Sequence, residues 1–227
     1  RIFDYFIKHG YEFISINDHN NLNPEGKYIH ISFDDGYYNN TNIIPVLEEY
    51  NIPAHIFVVT NNIMNSSKYW WDIVYNNRIT NGSNLEEIHK EIASLQQRHF
   101  MKIDKYIKET FGDQSLKFLS DLDRPLSIEE LKELNNNKLI TIGNHTSHHA
   151  VLNNLSKQEV YKQIKDAQKD LKLILGKSPD SFAFPNNSYR KDHFKILDEL
   201  EISFGFSGDF RHNKIPNGLK GEKKMRL

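Results

Sequence analysis

Short β-branched or aromatic runs alternate with helix-patterned segments along most of this 227-residue chain, and that alternation restricts the fold more than any other feature. Tyr28-Ile29-His30-Ile31-Ser32-Phe33 has the make-up of a strand and stops at Asp34-Asp35-Gly36. Residues 42–50 follow helical spacing, with Pro45 in the first turn, where proline is tolerated. Asn51-Ile52-Pro53 ends that segment, and Ala54-His55-Ile56-Phe57-Val58-Val59 reads as a buried strand. Strand, helix and strand in this order predict a parallel βαβ unit. Upstream, Ile2, Phe3, Phe6 and Ile7 recur at helical spacing before Gly10, residues 13–16 form a short strand, and residues 17–27 a loop.

The alternation resumes near residue 127. Ser127 and Glu130 have the spacing of a capping box before a helix to about residue 135, and Leu139-Ile140-Thr141-Ile142 runs as a strand into Gly143-Asn144-His145. Ser156 and Glu159 repeat the box, and the helix behind them carries Val160, Ile164, Ala167, Leu171 and Ile174 on one face up to Gly176. A strand at residues 181–184, a helix at 191–200 and a strand at 202–206 follow. The class is α/β with a parallel sheet, open or closed into a barrel. Between residues 61 and 126, Asn-rich turns, Tyr69-Trp70-Trp71 and long charged helical stretches interrupt the pattern. They read as a helical insertion within a single domain spanning residues 1–227.

Composition excludes several classes. There are 29 Lys+Arg against 30 Asp+Glu, for a formal net charge of −1, so electrostatics offers no reason to expect nucleic acid or an anionic membrane. Cys is absent, which removes disulfides, thiolate metal sites and cysteine nucleophiles and leaves His, Asp and Glu as possible metal ligands. No run approaches the ~20 apolar residues needed to cross a bilayer. The chain opens at Arg1 inside an amphipathic pattern and reads as a fragment or processed chain. Localisation and oligomeric state stay undetermined, with cell-envelope and cytoplasmic placements both open.

Two runs carry chemistry. In His145-Thr146-Ser147-His148-His149, His145 and His149 are four apart, so on a helical turn their rings would share one face and could hold a cation; the alternative is exposed loop histidines. His148 would point elsewhere. In Phe33-Asp34-Asp35-Gly36, adjacent carboxylates repel unless a cation is near, and Gly36 lets the chain twist so that both can serve one site; the alternative is a plain Asp-Gly turn. Trp70 and Trp71 fit either a sugar-stacking surface or the core of the insertion, and the core is the expectation.

Together these runs resemble the polysaccharide deacetylase family, also called the NodB homology domain or carbohydrate esterase family 4. Ser32-Phe33-Asp34-Asp35-Gly36 matches its first motif, His145-Thr146-Ser147-His148-His149 its second, and Phe182-Ala183-Phe184-Pro185 one form of its third. The resemblance covers roughly residues 29–60 and 127–227. It implies a distorted (β/α) barrel of the NodB type, the helical insertion lying between the first and second motifs, with the site at the C-terminal ends of the strands. It also implies that Asp35, His145 and His149 bind one divalent ion, zinc first, and that Asp34 is the general base. The Asn186 backbone N–H would be an oxyanion donor. The implied activity is removal of acetyl groups, N-acetyl first, from amino sugars of a bacterial surface polysaccharide or its precursor. An O-acetyl esterase, a deformylase and a non-catalytic carbohydrate-binding relative are the alternatives.

Three departures stand against the pattern. Ala183 occupies the place of an Arg that orients the base; Arg190 is close in sequence, which does not by itself make it close in space. Asn186-Asn187 replaces the usual Tyr-Gly. The late Leu-x-His motif that supplies the general acid is missing, leaving His212 as a weak candidate.

Overall fold

The computed structural model describes residues 2–209 and 225–226. Helix α1 (Ile2–Lys8) leads into a two-stranded parallel pair, β1 (Tyr11–Phe13) and β2 (Lys27–Ile29). The run expected as one strand over residues 28–33 is two, because the chain breaks at His30 before β3 (Ile31–Phe33). The His30 ring turns inward there, its Nδ1 3.2 Å from the Ile14 carbonyl. Next come α2 (Ile44–Tyr50), β4 (Ala54–Val58) and the short α3 (Thr60–Met64). Pro45 sits in the first turn of α2, and Asn51 closes that helix with φ 52.

The insertion is helical: α4 (Trp70–Thr80), α5 (Leu85–Gln96) and α6 (Phe100–Phe111). These three build a core of their own from Ile73, Val74, Leu95, Ile103 and Ile107, with Trp70 packed against it. Each begins with a residue in extended conformation, and Asn84 forms a full capping box with Glu87. The alternating core then continues with α7 (Ile128–Asn136), β5 (Ile140–Asn144), α8 (Lys157–Leu175), β6 (Ser181–Ala183), α9 (His193–Glu199), β7 (Phe204–Phe206) and β8 (Met225–Arg226). The boxes at Ser127/Glu130 and Ser156/Glu159 both form, and Gly176 ends α8 at φ 79.

Strands β3 to β8 pair in sequence order, all parallel, into one curled six-stranded sheet. This is the distorted (β/α) barrel expected. Crossovers through α2, α7, α8 and α9 connect successive strands, since parallel neighbours cannot be joined by a tight hairpin. β4 is buried at every position, which fits a central strand. One core cluster packs Leu47, Ile56, Leu131 and Leu171 between sheet and helices; a second joins Ile164, Phe182, Phe184 and Ile196.

Inside the curl lies a polar cluster. His55 is fully buried, stacks on Phe57 at 4.3 Å, and lies 2.8 Å from Ser181 Oγ. Gly143 makes the room: a Cβ there would fall 2.4 Å from the Phe57 ring. Burial pushes the His55 pKa down to about 3 from 6.5, and burial also lowers His30. Both are therefore neutral in the fold, whereas an unfolded chain protonates them near pH 6.5. For His55, stability is complete above that pH and is lost as pH falls toward 3, by at most about 1.4 kcal/mol per pH unit; His30 adds a loss in the same direction. Urea titrations between pH 7 and 4 should show this decline, and His55→Gln should make it shallower. An unaltered pH slope in that variant would assign the loss to other groups.

Candidate metal centre

Parallel pairing puts the C-terminal ends of the strands on one rim, and the motif residues follow those ends. After β3 the chain turns sharply, with φ 72 at Asp35 and φ 81 at Gly36. A Cβ on Gly36 would lie 2.8 Å from Val58 Cγ1, so glycine alone lets the turn press against β4 in this conformation. The Asp35 carbonyl accepts from the Val59 N–H at 3.1 Å and from the Tyr69 hydroxyl at 2.7 Å. The turn sends the Asp35 carboxylate inward and leaves Asp34 exposed.

His145 follows β5, and its N–H continues the ladder to the Val58 carbonyl at 3.0 Å. Its Nδ1 lies 2.9 Å from the Ala183 carbonyl, an acceptor only, so Nδ1 carries the proton and Nε2 presents its lone pair. Residues 145–149 are not a helical turn, which corrects the expectation of a shared helical face. They form a loop with φ 67 at Thr146 and φ 49 at His149. Asn144 Oδ1 accepts the Thr146 N–H at 2.7 Å and the Gln163 carbonyl accepts the Ser147 N–H at 3.1 Å, and this bracing bends the loop. The two rings still converge, centroids 5.0 Å apart. His148 points away, against Phe100 and Gln163.

His149 Nε2 is 3.2 Å and His145 Nε2 3.5 Å from Asp35 Oδ1. Ligand atoms about 2.0–2.1 Å from a tetrahedral zinc ion lie about 3.4 Å apart, so the spacing fits one such ion. The electrostatics fit as well. Asp35 Oδ1 is buried with no hydrogen-bond partner among the described residues. Burial pushes the Asp35 pKa up to about 6, opposed by His145 and reinforced by Asp34 and Asp72. Burial, and then His145, hold His149 well below its ordinary value. A desolvated carboxylate oxygen and two imidazole nitrogens converge on one spot, and a divalent cation among them would satisfy all three. Asp35, His145 and His149 are the residues that could hold a metal ion among the described residues.

Asp35, His145 and His149 line a cavity of about 570 Å³, along with Asp34, Trp71, Ile92, Gln96, Asn186 and Phe206. Asn186 takes φ 52, and among the described residues its N–H has no protein acceptor, so it is available to the cavity. The core expectation holds for Trp70 but not for Trp71, which turns to the cavity with its ring 4.7 Å from that of His149. The insertion also supplies Ile92 and Gln96, four apart on α5, a spacing that was legible but carried no hint of direction. Where the motif has Arg, Ala183 contributes its carbonyl to His145, while Arg190 reaches Asp192 and the Asn153 carbonyl. The Asp34 carboxylate has no hydrogen-bonding or ionic partner among the described residues. His212 lies outside the described residues.

The sequence profile described as "Polysaccharide deacetylase" matches residues 21–205, most of the chain. This chain belongs to the polysaccharide deacetylase family. No curated protein matches it. Among solved structures, the Streptococcus pyogenes deacetylase PplD is 18% identical, with a TM-score of 0.59 over 91% of this chain and 69% of that one. IcaB from Ammonifex degensii is also 18% identical, with a TM-score of 0.59 over 90% and 72%. A Bacillus cereus polysaccharide deacetylase is 16% identical at 0.57, and this chain spans 48% of its length. At these identities the likeness establishes the shared fold.

Zinc titration against a chromophoric chelator should find one site in this deacetylase-family chain. Asp35→Ala, His145→Ala and His149→Ala should each abolish it. Undiminished zinc uptake by all three variants would place the ion elsewhere.

Proposed function

We propose that this chain is a metal-dependent deacetylase that removes acetyl groups, N-acetyl first, from amino sugars of a bacterial surface polysaccharide or its precursor. One observation carries the reading: an exposed carboxylate, Asp34, opens onto the same cavity as three ligand-type side chains spaced for a single divalent ion. Membership of the polysaccharide deacetylase family supports the acetylated-carbohydrate substrate.

Asp35, His145 and His149 would hold the ion, zinc by donor type. When bound, such an ion acidifies water and polarises a carbonyl oxygen. Asp34 takes the proton from the attacking water. The Asn186 N–H, which has no protein acceptor among the described residues, donates to the oxygen that gains charge as the carbonyl becomes tetrahedral. The C–N bond then breaks, giving acetate and an amine. The ionisable side chains lining the cavity are Asp34 and the three ligands among the described residues. Asp34 is thus the group left there to return a proton to the leaving nitrogen.

Asp34→Asn is expected to lower kcat by about 10²–10⁴-fold while zinc binding persists. The assay is acetate release from N-acetylated and O-acetylated oligosaccharides run side by side. Faster release from the O-acetylated set would convert the reading to an esterase. Zinc-loaded protein that binds oligosaccharide but releases no acetate from either would make it a carbohydrate-binding relative.

A further inference from the structure

The helical insertion reaches the ligands through two aromatic side chains that no motif includes. Tyr69 is buried, and its hydroxyl donates to the Asp35 carbonyl at 2.7 Å. That carbonyl belongs to a residue held at φ 72, a conformation that costs an L-residue with a side chain of order 1 kcal/mol or more and persists only where the surroundings impose it. Among the described residues, the backbone donor to the same oxygen is the Val59 N–H. Trp71 stands two residues on. One face of its indole stacks on Tyr69 at 4.9 Å and 17°, and its ring meets His149 at 4.7 Å and 59°.

Trp71 is itself pinned. Its Nε1–H donates to the Tyr37 hydroxyl at 2.7 Å, and because an indole N–H only donates, the Tyr37 proton is free to go to Asp72 Oδ2 at 2.5 Å. The directions agree along the whole relay. Tyr37 belongs to the turn that carries Asp35, while Asp72 belongs to α4, so the relay ties the ligand turn to the insertion twice over. With Tyr69 covering one face, Trp71 is built as a wall for His149 more than as a free platform for a sugar ring.

We propose that Tyr69 and Trp71 are positioning residues for the metal ligands, so that metal affinity is set partly by an insertion lying outside the motifs. This rests on the reading that Asp35, His145 and His149 hold the ion. Partners that orient ligands typically change metal affinity by about 10–100-fold when removed. Tyr69→Phe deletes one hydroxyl and keeps the ring. Its zinc dissociation constant, from competition with a chromophoric chelator, should rise about 10–100-fold. The melting temperature of its metal-free form should stay close to wild type, which a purely structural role would not predict. Trp71→Leu, the second variant should Tyr69→Phe fail to fold, should weaken zinc at least several-fold.

Zinc affinity within twofold of wild type in both variants, with Asp35→Ala and His149→Ala losing it, would overturn the inference and leave the metal site standing. A wild-type chain that takes up no zinc would overturn the metal reading and this inference with it.

Discussion

Parallel pairing of β3 through β7 is the constraint from which the candidate site follows. With Phe33 opposite Ile56, Val58 opposite Asn144, Asn144 opposite Phe182 and Ala183 opposite Phe206, the strands end together on one rim. The segments leaving those ends are therefore neighbours, although the sequence separates Asp35 from His145 by the whole insertion. The ladder even runs past the strands, through Val59 N–H to Asp35 O and His145 N–H to Val58 O. Backbone hydrogen bonds thus hold the Asp35 and His145 segments to the end of β4, a strand buried at every position.

That placement carries a desolvation penalty. A desolvated carboxylate and two imidazoles crowd one spot, and Asp35 Oδ1 finds no donor among the described residues. A domain built only for stability would fill such a place with apolar side chains. Retaining three ligand-type groups in this geometry makes physical sense when a cation completes them. His30 and His55 deeper in the curl present a milder case, since they bury neutral rings and cost stability only as pH falls.

The insertion participates in the site as well as covering it. Its hydrophobic core packs α4, α5 and α6 together, and the hydrogen bonds of Tyr37 with Trp71 and Asp72 seat them on the rim. Trp71, Ile92 and Gln96 then line the cavity together with Asn186 and Phe206. Gln96 closes part of the gap by reaching Asn186 Oδ1 at 3.5 Å.

Much was legible in the residues themselves. Capping boxes at Ser127 and Ser156 and the glycine stop at Gly176 are local codes, written in side chains that bond to backbone within four residues, so they survive any tertiary context. The alternation of strands and helices, the class of fold and the identity of the ligand-type residues are local or periodic in the same way. The sequence could not show how the ligands meet. His145 and His149 suggested a helical turn, yet they converge through a braced loop, because Asn144 and Gln163 supply bonds that no spacing rule encodes. Nor could it tell Trp70 from Trp71, adjacent residues on one helix. Which of them faces a core and which faces His149 depends on where α4 lands against a turn more than thirty residues upstream, a non-local contact that only the folded chain decides.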